Sequence, residues 1–129
     1  MLGVDYGASR TGLALSDPVG VSCRPIGVLT ERKVDKVVEA ILTAVRGHDV
    51  HGIVVGLPRP LAGGTNDQMR DVLDFVNRLK VESPVPVETW DERFTTSLAE
   101  RGRKHANAPD AVAACYMLQN YLDMLSNRG

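Results

Sequence analysis

MLGVDYGASRTGLALSDPVGVSCRPIGVLT, residues 1–30, is the stretch whose reading decides the fold. Met1 to Tyr6 has a strand pattern, Gly7-Ala8-Ser9-Arg10 a turn, Thr11 to Ser16 a second strand, Asp17-Pro18 a second turn, and Val19 to Thr30 a third strand. Turns this short join antiparallel neighbours. From Val34 the period becomes helical, because Val34, Val37, Val38, Ile41, Leu42 and Val45 fall on one face of a helix that Gly47 ends.

Gly52-Ile53-Val54-Val55-Gly56 is a continuous apolar run, the pattern of a central parallel strand covered on both sides. After the Gly/Pro-rich loop from Leu57 to Gly64, Thr65 and Gln68 have capping-box spacing, and Met69, Val72, Leu73, Val76 and Leu79 give a second amphipathic helix. Val85 to Trp90 reads as a fifth strand ending at Asp91-Glu92-Arg93. A short third helix capped by Thr95 or Thr96 follows, dissolving near Gly102. A last helix begins near Pro109, with Ala111, Ala114, Cys115, Leu118, Leu122 and Leu125 as its apolar face. The order β-β-β-α-β-α-β-α-α predicts a single α/β domain spanning residues 1–129, with a five-stranded mixed sheet and helices on both faces.

A chain of 129 residues can bury roughly two thirds of its unfolded surface without disulfides. Its net charge of −1 excludes a protein that coats nucleic acid through overall basicity, so any polyanion site must be local. The two cysteines, Cys23 and Cys115, form no C-x-x-C pair and read as small buried apolar residues. No basic leader precedes the first strand, and no apolar run approaches the roughly 20 residues that span a bilayer. The expected location is therefore cytoplasmic, with no membrane association.

Three acidic stations carry the chemistry. Asp5 closes the first strand just before Gly7, where the backbone turns and lies open; taken alone, Asp-x-Gly reads first as a turn. Asp91 and Glu92 end the fifth strand at the carboxyl edge where ligands collect in open α/β sheets, and strand periodicity lets only one of them face a site. Asp110 stands in the first turn of the last helix, where a helix dipole also favours a carboxylate. A sheet with a helix across it could bring these element ends together. Three or four converging carboxylates suit magnesium or manganese, which take oxygen ligands and offset the repulsion. Two such ions about 4 Å apart activate a water and stabilise a leaving oxygen in phosphodiester hydrolysis.

Val4-Asp5-Tyr6-Gly7 with Arg10-Thr11-Gly12-Leu13-Ala14, Val54-Val55-Gly56-Leu57-Pro58, Asp91-Glu92-Arg93-Phe94-Thr95-Thr96, and Asp110-Ala111-Val112-Ala113-Ala114 leading to Leu118-Gln119-Asn120-Tyr121-Leu122 occur in order along nearly the whole chain. Here the chain resembles the YqgF family, also called RuvX, of Holliday-junction-resolvase-like proteins. That family has a ribonuclease H-like fold and is linked to maturation of the small-subunit ribosomal RNA precursor. The resemblance implies that Asp5, Glu92 and Asp110 are catalytic acids binding Mg2+ or Mn2+, two ions in all, with Asp91 a further candidate ligand. It also implies that Gly56-Leu57-Pro58 lines the cleft and that Arg10 and Arg93 meet phosphates. The implied partners are structured RNA or branched DNA, including a pre-ribosomal particle, with the protein a monomer or a homodimer.

Arg93, Arg101, Arg103 and Lys104 face only Glu100 as an opposing charge and make the best local basic patch, a candidate substrate contact. Gly56 to Thr65 lacks the Gly-Lys-Ser/Thr ending of a P-loop. Two other functions stay open. A non-catalytic RNA-binding factor on the same fold is compatible with the lack of a carboxylate beside Gly56-Leu57-Pro58, where resembling resolvases carry a glutamate. Asp5-x-Gly7 with Thr11-Gly12 also resembles the first phosphate loop of actin-like and sugar-kinase ATPases, although those close two domains around the nucleotide and this chain supplies one.

Overall fold

The computed structural model describes residues 1–58, 64–92 and 110–128, with side chains to residue 126. In chain order these form β1 (Leu2–Tyr6), β2 (Thr11–Ser16), β3 (Cys23–Leu29), α1 (Val34–Gly47), β4 (Ile53–Leu57), α2 (Asp67–Glu82), β5 (Val87–Asp91) and α3 (Asp110–Arg128). The helix expected at Thr95 or Thr96 lies outside the described residues. The sheet order is β3-β2-β1-β4-β5. β1 pairs antiparallel with β2, and β2 with β3, while β4 and β5 run parallel to β1. This is the expected mixed sheet, three antiparallel strands followed by two parallel ones.

Alternation sorts the side chains of β1 to two faces. Leu2 and Val4 join Leu13, Ile53, Val55 and Leu57 in a core closed by Val37, Val38, Ile41 and Val45 of α1 and by Met69, Val72, Phe75, Val76 and Leu79 of α2. The opposite face presents Ala14, Val54 and Trp90 to Ala114, Met117, Leu118, Tyr121 and Leu122 of α3. The first and last stretches of sequence therefore pack on each other.

Several boundaries differ from expectation, each for a local reason. β3 begins at Cys23 rather than Val19 because Asp17 holds the turn, accepting from the Val21 amide at 2.8 Å and from the Ser22 hydroxyl at 3.2 Å. Val19 and Val21 are left exposed. Between Leu13 and Ala14 the β2–β3 register slips past Ile26, and Pro25, lacking an amide hydrogen, is tolerated on this edge strand. α2 is capped by Asn66, whose side chain accepts from the Met69 amide at 2.8 Å, and not by Thr65. On α3 the buried face includes Met117 and Tyr121, while Leu125 is exposed. Trp90 turns that face toward β5: its ring meets Tyr121 edge-on at 5.9 Å, and the Tyr121 hydroxyl donates to Glu88.

Phe75 joins the two layers of the larger core, stacked on Tyr6 with ring centroids 4.1 Å apart and 1% exposed. Phe75→Ala is expected to lower unfolding stability by about 3–5 kcal/mol, the range for deleting a buried aromatic ring. Urea unfolding measures it, and a loss below about 1 kcal/mol would show that α2 does not depend on this ring.

Candidate functional site

An ideal Cβ placed on Gly3 would stand 2.9 Å from Leu118 Cβ, so Gly3 lies on the face that α3 covers. Asp5, two residues further along β1, shares that face. Its registered partner on β2 is Gly12. On the other side, the Val4–Val55 pairing of β1 with parallel β4 continues to the level of Gly56. A glycine thus stands on either side of Asp5, and each makes room for another acid.

At Gly12 an added Cβ would lie 2.0 Å from the Asp110 carbonyl oxygen and 2.8 Å from the Ala111 nitrogen. The first turn of α3 therefore rests on the backbone of β2, which delivers Asp110 beside Asp5 from a position more than a hundred residues later. At Gly56 an added Cβ would lie 2.7 Å from Glu92 Oε1, so the Glu92 carboxylate lies over β4, and Glu92 is only 8% exposed. The three acids form a row across β2, β1 and β4 at the carboxyl edge of the parallel strands, whose spacing is about 4.8 Å.

Asp91 pairs with Leu57, a residue of the α1/α2 core, and so belongs to the opposite face from Glu92. The expected choice between the adjacent carboxylates falls to Glu92, and Asp91 is removed from the row by strand alternation. Arg10, 69% exposed, has its Nη1 3.9 Å from Asp110 Oδ2, a loose pair at the mouth of the row. Arg93, Arg101, Arg103 and Lys104 lie outside the described residues.

The donor set suits a hard divalent cation: the row offers carboxylate oxygens alone, and Asp110 Oδ2 is buried without a hydrogen-bond partner among the described residues. As the side chains stand, no three His, Cys, Asp or Glu residues among those described close into a group able to hold a metal ion. The right donors are therefore gathered along one edge but not drawn in. The two glycines are the part of the site that sequence reading had not seen as its floor. Their signal is a lone glycine inside a strand pattern, which marks close approach of another group.

A family model described as Holliday junction resolvase RuvX matches residues 1–124. The chain belongs to the RuvX family. Relatives named "Putative pre-16S rRNA nuclease" include one from Desulforudis audaxviator, 36% identical over 131 residues covering 95% of this chain and 93% of the relative. Another, from Sulfurihydrogenibium sp., is 37% identical over 98% of this chain and 91% of the relative. Among solved structures, Thermus thermophilus RuvC in complex with Holliday junction substrate superposes with a TM-score of 0.62 at 16% identity, covering 99% of this chain and 94% of that one. The Fowlpox virus resolvase gives a TM-score of 0.51 at 10% identity, covering 97% and 99%. This RuvX-family chain therefore has the ribonuclease H-like fold of RuvC, as expected. No helix among its described residues is long and apolar enough to cross a membrane.

The two flanking glycines should respond differently to an added methyl group. Gly12→Ala collides with helix backbone and is expected to cost at least about 2 kcal/mol of stability. Gly56→Ala meets the far end of the Glu92 side chain, which can swing away, and is expected to cost about 1 kcal/mol or less. Equal losses in parallel urea titrations would mean that α3 does not rest on Gly12 as described.

Proposed function

We propose that this protein is a metal-dependent nuclease that hydrolyses phosphodiester bonds in structured nucleic acid, either at the 5′ end of the 16S ribosomal RNA precursor or at a four-way DNA junction. The observation that carries the reading is the row Asp110–Asp5–Glu92, collected from a helix and two strand ends over two glycines. Like charges gathered at one edge repel one another, and a cation between them offsets that repulsion. The names of the family and of its relatives support the same chemistry.

In this reading Asp5, Glu92 and Asp110 hold Mg2+ or Mn2+, two ions in all, and the bound cations supply an activated water and charge neutralisation at the leaving oxygen. Asp5 stands in the middle of the row on the central strand. Glu92, largely withdrawn from solvent, is a carboxylate whose attraction for a cation is little screened by water. Arg10, exposed at the mouth, is positioned to take the phosphate next to the cleaved bond. Arg93, Arg101, Arg103 and Lys104 extend the contact to neighbouring phosphates. The sequence holds no recognition-helix motif or aromatic platform for reading base edges, so substrate is selected by shape or through a partner such as a pre-ribosomal particle.

The deciding experiment incubates the pure protein with labelled ribosomal RNA precursor and with branched DNA, with and without Mn2+ or Mg2+. Asp5→Asn, Glu92→Gln and Asp110→Asn are each expected to abolish metal-dependent cleavage and to leave metal-free melting unchanged or slightly raised, because each removes a repelling charge. Intact cleavage by Asp5→Asn together with a melting point lowered by several degrees would make Asp5 structural. Absence of metal-dependent cleavage of either substrate by the wild-type protein would turn the reading to an RNA-binding factor without turnover.

Reversing Arg101, Arg103 and Lys104 to Glu is expected to weaken binding to all sequences alike and to flatten its dependence on salt, since each lost phosphate contact lowers the slope. Binding measured from 50 to 200 mM salt tests this; an unchanged slope would leave the patch without a role in binding.

A further inference from the structure

Cys23 opens β3, and Cys115 lies in the second turn of α3. Although 92 residues separate them, their sulfurs stand 2.8 Å apart. Nonbonded carbon atoms, smaller than sulfur, rest at about 3.5–4.0 Å. Cys23 Sγ also donates to the Cys115 carbonyl at 3.0 Å. Both thiols are free and half-buried, packed against the rim of the α3-side core.

The neighbourhood holds this pairing in place. One turn further along α3, Gln119 Nε2 donates to the Val21 carbonyl at 2.8 Å, tying the same helix to the same hairpin. Gln119 Nε2 donates in addition to Asp123 at 3.0 Å. The hairpin itself is fixed by Asp17. The sulfurs thus meet because β3 and α3 are docked there. A metal site is a poor account of the pair, since no third His, Cys, Asp or Glu among the described residues completes one.

We propose that Cys23 and Cys115 form a reversible intramolecular disulfide, a modification site that closes on oxidation and staples the edge strand β3 to α3. The oxidant required is a small-molecule disulfide. One of the two cysteines, as thiolate, attacks one of its sulfurs, giving a mixed disulfide and releasing one thiolate. The other cysteine then attacks the first one's Sγ, forming the protein disulfide and releasing the second thiolate, which takes up its proton. In sum the protein loses two protons and two electrons, which the small disulfide takes up to become two thiols. Burial, and then the neighbouring Cys115 thiol, push the Cys23 thiol up to about 12, so the reaction quickens as pH rises. In a reducing compartment the pair rests as thiols. This inference does not depend on the chemistry of the acidic row.

The test treats the full-length reduced protein with glutathione disulfide and reads intact mass, free thiols and melting temperature. The expected product is a single chain lighter by two hydrogens, free of bound glutathione and of reactive thiols. Its melting point should rise by roughly 5–15 °C, because the bond closes a long loop, and dithiothreitol should reverse the rise. Cys23→Ser and Cys115→Ser should each lose this shift and retain one glutathione on the remaining cysteine. Wild-type protein that ends with stable glutathione adducts, interchain dimers or two persistent free thiols would overturn the proposal. That reading needs no variant to fold.

Discussion

The contact of the Asp110 turn with Gly12 is the constraint on which the rest of the structure depends. A helix lies this close to a sheet only where the strand below has no side chain, and any β carbon at Gly12 would stand 2.0 Å from a helix carbonyl. From that anchor the direction of α3 follows. Ala114 and Leu118 come down over β1 and β2, Tyr121 reaches Trp90 and Glu88 on β5, and Cys115 is brought against the start of β3. Close approach at one end sets the aim of every later turn.

The same contact sets the electrostatics. Asp110 arrives with Oδ2 buried and without a hydrogen bond among the described residues, beside a strand that already carries Asp5, and Glu92 folds over the next glycine. An apolar or hydrogen-bonded solution would stabilise the fold better, and such departures from the stability optimum collect where a site does something other than hold the fold together. The core on the other face follows ordinary rules, with stacked Tyr6 and Phe75 and two amphipathic helices.

Much of this was legible in the sequence, and what was not has physical causes. Strand alternation and the helical spacing from Val34 to Val45 depend on neighbouring residues alone, so the sheet, α1 and α2 could be read directly. Asn66 in place of Thr65 as the cap of α2 turned on a single side-chain hydrogen bond, which composition does not distinguish. The face of α3 was read from its own periodicity, yet Trp90 on a distant strand rotated it to include Tyr121. Asp91 and Glu92 are adjacent and chemically alike, and only the β4–β5 register separated them. The Cys23–Cys115 contact, 92 residues apart, carries no local signature at all.

The row of acids joins the first strand to the last helix, and this has a consequence for the newly made chain. Translation proceeds from the amino end, so β1 through β5 exist before α3 has been synthesised. Until then one face of the sheet, with Ala14, Val54 and Trp90, has no cover, and Asp5 has no Asp110 beside it. A nascent chain of this kind is an open sheet with half a site. Asp110 can join Asp5 and Glu92 only when the last helix closes the second core, so a chain without that helix lacks the assembled edge.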